Sequence, residues 1–228
     1  MAITYSVFFE TLGAPVLGGD ITSTSRTYNS GELVVVLWVS EDDAGSGNLS
    51  IANSATAQSW SLIAQTNGIS SCLVSGWSCV MSATQAMTIT VSGDGGNSLF
   101  SSIAVIPHAG QHATTPVPAG NVFSGAVATD VSQSITPTSS GSALWMLAGD
   151  WTAGNTFAAI ANCTIDQTFD NASFTNALIR PTTQPRTDAN AFTIGETDTA
   201  GSIAWIAFEV QAAPDVTTRS GRRIYILP

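Results

Sequence analysis

The chain has 228 residues, 44% of them hydrophobic and only 10% charged, with no lysine and a formal charge of −10. That composition can bury a large core beneath a surface of Ser, Thr, Asn, Gln and Gly, so disorder is excluded for most of the chain, and the length fits one large all-β domain or two small domains. Residues 1–218 hold all 16 acids against Arg26, Arg180 and Arg186, a formal −13, which argues against nucleic acid and anionic lipid surfaces as partners.

Short apolar or alternating runs recur between clusters of Gly, Asn, Asp, Ser and Pro, and none keeps helical periodicity with caps. The first is ITYSVFF (3–9). The stretch MAITYSVFF lacks the basic start and long apolar segment of a secretory signal, and no run approaches the ~20 residues of a membrane span. The expectation is a soluble chain made in a cytoplasm. LVVVLWV (33–39) is apolar throughout and reads as a central strand covered on both sides, or covered by a neighbouring subunit. WSLIAQT (60–66), CLVSGWSCVM (72–81), MTITVS (87–92) and SIAVIPH (102–108) follow, with the glycine-rich connections EDDAGSGN (41–48) and SGDGGNS (92–98) among them. ALWMLAG (143–149), CTIDQTF (163–169), FTNALI (174–179), AFTIGE (191–196) and IAWIAFEVQ (203–211) come next, and RIYIL (223–227) is last. In IAWIAFEV the residues Ala204, Ile206, Phe208 and Val210 are wholly apolar and alternate with Ile203, Trp205, Ala207 and Glu209, so one face is expected to point inward.

The two halves resemble each other. SGELVVVLW (30–38) answers SGSALWMLA (140–148), SWSLIAQTN (59–67) answers CTIDQTFDN (163–171), and SCLVSGW (71–77) answers SFTNALI (173–179). AMTITVSGD (86–94) answers AFTIGETDT (191–199), and SLFSSIAVIPHAG (98–110) answers AGSIAWIAFEVQAAP (200–214). About five strands per half is too few for two ordinary sandwiches and suits two interleaved halves of one. The predicted fold is all-β: a single two-sheet antiparallel sandwich, jelly-roll-like, over residues 1–214. Its pseudo-repeats span about 30–110 and 140–214, and a basic and apolar C-terminal arm occupies 215–228.

The residues that could carry chemistry are sparse. His108 and His112 have no Cys or acid at ligand spacing, and Gln211 stands near the place of His108 in the second half, so that place does not demand an imidazole. Glu41, Asp42 and Asp43, and the turn Asp94-Gly95-Gly96-Asn97, offer oxygen ligands of the kind calcium takes but match neither an EF-hand nor a repeat-type calcium loop; they read as turns, as does Asp198. Cys72, Cys79 and Cys163 lack zinc spacing and read as small buried hydrophobes, with a bridge to Cys163 or to another subunit as the alternative. Among the tryptophans, Trp151 in GDWTAGN is the one expected at a loop and is the candidate for ligand contact by sugar stacking. SGDGGNS has no lysine and no helix after it, so it is not a phosphate loop. No catalytic residue, metal ligand or cofactor is expected.

SGELVVVLWVS, QSWSLIAQTNG, TITVSG, SIAVIPHAG and GSIAWIAFEVQAAP together resemble β-sandwich domains of phage virion structural proteins and of bacterial surface proteins, over about residues 30–213. The resemblance implies a particle component or adhesion module and brings over no catalytic residue. The expected function is therefore that of a structural virion protein, most of all a capsid decoration (cement) protein. A phage tail or head-fibre component, and a carbohydrate-binding module or adhesin, are the alternatives. Expected partners are copies of itself and other virion proteins, a major capsid or tail protein, in a homo-oligomer located in the virion.

The ending TTRSGRRIYILP carries three of the six basic residues, Arg219, Arg222 and Arg223, followed by Ile224, Tyr225, Ile226 and Leu227. These seven residues are the expected interaction site. Either RIYIL closes its own sandwich against ITYSVFF, or it pairs with a sheet edge of a neighbour.

Overall fold

The structure is a computed structural model that describes residues 2–11, 20–41, 49–67, 72–92, 101–151, 156–171, 174–198 and 201–214. In the first half the strands are β1 (Thr4–Tyr5), β2 (Phe8–Thr11), β3 (Ile21–Thr22), β4 (Arg26–Tyr28), β5 (Leu33–Glu41) and β6 (Ser50–Asn53). They continue with β7 (Ser61–Asn67), β8 (Cys72–Val80), β9 (Gln85–Met87), β10 (Ile89–Ser92) and β11 (Ser101–Ala109). A short 3-10 turn, Ala119–Asn121, leads into β12 (Val122–Val127), β13 (Val131–Ile135), β14 (Ala143–Asp150) and β15 (Ala158–Ala159). The last strands are β16 (Cys163–Asn171), β17 (Phe174–Pro181), β18 (Phe192–Thr197) and β19 (Ile203–Val210).

The chain is all-β with antiparallel pairing, but the described residues form five sheets where a single sandwich of two was expected. A large sheet in the order β1-β11-β5-β8-β7, with β2 also on β11, has its counterpart in a second large sheet, β12-β19-β14-β17-β16. The small sheet β3-β10-β6 likewise has its counterpart in β13-β18-β15, and β4 and β9 form a two-stranded ribbon. A bulge interrupts the β7/β8 register between Leu62 and Ala64 and the β16/β17 register between Ile165 and Gln167, the same place in each large sheet.

Three apolar clusters show how the layers stack. Val34, Val36 and Trp38 of β5 meet Ile89 and Val91 of the small sheet. The alternate residues Leu33, Val35, Leu37 and Val39 meet Trp145, Leu147, Ile206 and Phe208 of the second large sheet. Leu144, Met146, Ala148 and Trp205 then face Val131, Ile135 and Ile194 of the other small sheet. Each large sheet is therefore covered on both faces within the one chain, giving four layers: small, large, large, small. Strands covered on both faces need apolar residues at every position, which accounts for LVVVLWV. IAWIAFEV is buried on both faces as well, not on one as its parity implied. At about 1.5–3 kcal/mol for each fully buried large apolar side chain, the central cluster is a principal source of stability.

Backbone bonds tie the halves where their strands begin and end. Ile3 donates its N–H to the Gly141 carbonyl at 3.1 Å, and Ala213 donates to Gly110 at 2.8 Å. Gly31 and Gly141 hold equivalent turns ahead of β5 and β14 at φ 83° and 86°, a region that glycine enters without steric cost. Cys72, Cys79 and Cys163 are all free thiols.

Candidate functional site

The expected interaction residues Arg219, Arg222, Arg223, Ile224, Tyr225, Ile226 and Leu227 lie outside the described residues, as do Asp42, Asp43 and the turn from Asp94 to Asn97. The surface beside the last described residues is defined. Ala212 forms an isolated antiparallel bridge with Gln111, and Ala213 is bonded to Gly110. Gly110 follows directly on Ala109, the residue that pairs with Thr4 of β1. The main chain thus reaches Pro214 close to the outermost strand of the first large sheet. Thr4 and Ser6 are exposed along that strand, and a small cleft of about 160 Å³ opens between Thr4, Tyr5, Ser6, Glu32, Pro107 and Ala109.

Trp151 follows β14 directly and is half-buried, its apolar part packed on the central cluster between the large sheets. His108 and His112 are not brought together into a site by shared contacts. His108, at the end of β11, is fully buried, and its Nε2 accepts a hydrogen bond from Trp145 Nε1 at 3.0 Å. Because an indole nitrogen only donates, Nε2 must be unprotonated and the neutral ring carries its proton on Nδ1. Burial pulls the imidazole down to about 3, so the ring stays neutral through the physiological range. Tyr5 meets Trp145 edge-on at 5.0 Å, completing an aromatic group that joins the two halves. The residue with the strand position of His108 in the second half is Val210, which pairs with Ala143 as His108 pairs with Leu33. His112 organises its own turn, its Nδ1 lying 3.0 Å from Thr115 Oγ1 and 3.2 Å from Thr115 N.

The sequence reading missed a buried acidic group in the second half. Glu196 on β18 is fully buried, and no side chain among the described residues donates a hydrogen bond to its carboxylate. Burial first, then the charge of Asp198 and, less, those of Asp130 and Asp150 push its carboxyl from 4.5 up to about 8, against the lowering effect of a main-chain hydrogen bond from Val131. Two of these neighbours accept backbone bonds: Asp130 Oδ1 from Asp198 N at 2.9 Å, and Asp150 Oδ1 from Ser202 N at 2.9 Å. A Cβ on Gly201 would collide with the Asp150 carboxylate, so only glycine admits that approach. Among the described residues no three acids, histidines or cysteines converge as a metal-holding set. Glu196 is therefore a proton-holding group inside the second half. Parity held the signal for it, since Glu196 lies two residues from the core residue Ile194 on one strand.

Glu209 is the contrasting buried acid. It accepts from Thr138 N at 2.8 Å, Thr138 Oγ1 at 2.6 Å and Asn121 Nδ2 at 2.5 Å, and so fastens the segments flanking β12 and β13 to β19. A buried carboxylate supplied with three donors is a structural anchor.

No protein-family model matches the chain, and no curated protein and no solved structure matches it. No helix among the described residues is long and apolar enough to cross a membrane.

Proposed function

We propose that this chain is a structural protein of a phage particle, of the capsid decoration kind, docking on neighbouring subunits through its C-terminal arm. The observation that carries the reading is the division of charge: a body at −13 ends in a segment with Arg219, Arg222 and Arg223 and the strand-like run Ile224–Leu227. The edge position of β1 supports it: among the described residues β1 pairs with β11 alone, and an edge strand can take up an added strand through its main chain. The arginines would meet carboxylates on the acidic body of an adjacent copy or on a capsid protein. The same architecture serves a tail or head-fibre component, where the docking surface differs and the arm chemistry does not.

The test compares the full chain with a chain ending at residue 214. Mass photometry should show oligomers for the full chain and monomers for the truncated one, and co-sedimentation with phage heads should be lost on truncation while the melting temperature stays the same. If the truncated chain assembles as the full chain does, the arm reading is wrong. If truncation instead unfolds the protein, the arm is a strand of its own body.

A further inference from the structure

The second half differs from the first at one junction. In the first half, Gly31 N donates to the Met81 carbonyl and Met81 N to the Glu32 carbonyl, each at 2.8 Å. In the second, Gly141 N donates to the Arg186 carbonyl at 2.6 Å and Arg186 N to the Ser142 carbonyl at 2.8 Å. Arg186 therefore holds the place of Met81, which is buried in the first half's outer core. Met81 follows Val80, the last residue of β8, whereas Thr182, Thr183, Gln184 and Pro185 stand between the end of β17 and Arg186. This added chain opens a cleft of about 460 Å³ lined by Asn162, Thr182, Thr183, Arg186 and Phe192, nearly three times the volume of the cleft beside Tyr5. Its size falls in the range of small-ligand sites, roughly 300–1,000 Å³.

The walls are fixed by one main-chain bond and one bond from the main chain to a side chain. Thr182 N donates to the Asn162 carbonyl at 2.8 Å, and Gln184 Oε1 accepts from Leu144 N at 2.8 Å. Asn162 sits at φ 66°, the left-handed region that Asn tolerates better than most residues. The polar side chains, in contrast, are left with capacity to spare. The Asn162 amide and the Thr182 and Thr183 hydroxyls have no partner among the described residues and face solvent. The Arg186 guanidinium carbon lies 4.5 Å from the centre of the Phe192 ring, and Nη2 donates to Asp188 Oδ1 at 3.0 Å. That pair is the only side-chain hydrogen bond of Arg186 among the described residues. Asp188 Oδ1 also accepts from Asn190 N at 3.1 Å, which leaves Oδ2 as a further acceptor.

We propose that this cleft binds a saccharide and takes one neutral sugar unit. Donors and acceptors alternate around it: the Arg186 guanidinium, the Asn162 amide with its N–H groups and carbonyl oxygen, and the Thr182 and Thr183 hydroxyls, which both donate and accept, while the Asp188 carboxylate bonded to Arg186 lies outside the lining. A sugar's vicinal hydroxyls each donate and accept, so they match that mixed set, whereas a lone anion would leave the acceptors unused. Arg186 and Asp188 cancel in charge, and the surrounding body is acidic, so an anionic ligand gains little and is repelled at long range. The exposed part of Phe192 offers apolar surface to the C–H side of a sugar ring. The first half lacks the added residues and holds a buried methionine in the arginine's place, so the proposal gives one such site per chain.

Saturation-transfer NMR on the full chain with glucose, galactose, mannose and N-acetylglucosamine, and with glucuronate as the acidic control, tests the proposal. At least one neutral sugar should show transfer. Arg186→Met, which installs the residue the first half already buries, should weaken that binding by about tenfold, the worth of one charge-assisted hydrogen bond. Thr183→Ala, at an exposed position, should weaken it several-fold with an unchanged melting temperature. Absence of transfer to every neutral sugar, stronger binding of glucuronate than of any of them, or full binding in both variants overturns the site. The chain truncated at 214 should bind sugar as the full chain does, so this site and the arm stand or fall separately.

Discussion

Glu196 occupies a place where the first half has valine. Val91 pairs with Ile21, the first residue of β3, and Glu196 pairs with Val131, the first residue of β13; both side chains are fully buried. A core methyl pair has been exchanged for a carboxyl facing Asp198, Asp130 and Asp150. Its folded pKa, raised from 4.5 to about 8, makes the pH dependence calculable in sign. The folded state holds the proton more tightly than the unfolded state, so the stabilising contribution is complete below pH 4.5 and is lost as pH rises to about 8. Glu196→Val should remove this loss and stabilise the protein by about 2–3 kcal/mol at pH 8.5, a figure reduced from the full ionisation cost to allow for solvent and relaxation. At pH 4.5 the variant should be close to the wild type. Urea unfolding at the two pH values checks it, and equal effects at both would show that the carboxyl is not held protonated. The aligned segments AMTITVSGD and AFTIGETDT put valine opposite glutamate in plain view. Their inward direction was readable from Ile194, but the three carboxylates around Glu196 come from distant parts of the chain and leave no local pattern.

At the scale of strands, the large sheets meet through paired gaps and knobs. A Cβ on Gly149 of β14 would run into Val39 Cγ2 of β5, and would stand 2.9 Å from Cys72 Sγ of β8. A Cβ on Gly76 of β8 would lie 2.9 Å from Ile206 Cδ1 of β19. Each sheet thus uses one glycine to admit a side chain of the other. Gly149→Val should cost about 1–3 kcal/mol or more by overpacking this contact, because strands paired on both sides cannot shift alone. Gly120→Ala, whose Cβ would meet nothing within 4 Å, should change stability by less than about 0.5 kcal/mol. Urea midpoints of the two variants measure the difference, and a neutral Gly149→Val would mean that the sheets are not in close contact there. The strands themselves were readable: the runs at 33–39 and 143–149 fall on strands of the large sheets, and those at 72–81 and 203–211 do so to within one residue at their ends. Their partners across layers were not. IAWIAFEV looked one-faced because Glu209 interrupts its second face, and the residues that satisfy Glu209, Asn121 and Thr138, are 88 and 71 positions away. A two-sheet expectation followed from counting strands per half without the short ones, β3, β6, β13 and β15, which span 2 to 5 residues and give no periodic signal.

For the whole molecule, the four layers decide whether either half can stand alone. Residues 112–214 contain a large sheet and a small sheet with an apolar cluster between them, which is the minimum of a sandwich. Their other face, carrying Trp145, Leu147, Leu178, Ile206, Phe208 and Val210, is covered among the described residues by the first half. Free in water, that face would be a contiguous apolar patch of the kind monomeric proteins rarely expose. Another copy of the same half is the nearest substitute for the missing layer, since the two large sheets share strand order. The fit would be imperfect: the space at Gly149 is shaped for Val39 and Cys72, and the indole N–H of Trp145 would lose His108 as its acceptor. Expressed alone, residues 112–214 should therefore form dimers or larger species that bind a hydrophobic dye, and should melt below the full chain. Adding residues 1–111 should reduce the dye signal and give a one-to-one complex. Light scattering with size exclusion distinguishes the cases, and a soluble, dye-negative monomer of residues 112–214 would show that the central cluster is dispensable. The buried face is apolar at nearly every position, Glu209 points to the opposite side of β19, Glu196 belongs to the outer small sheet, and the ion pairs Arg180–Asp166 and Arg186–Asp188 both lie within the second half, so apolar burial holds the stack together. Salt should accordingly leave the one-to-one complex intact, as expected for an interface held by apolar burial.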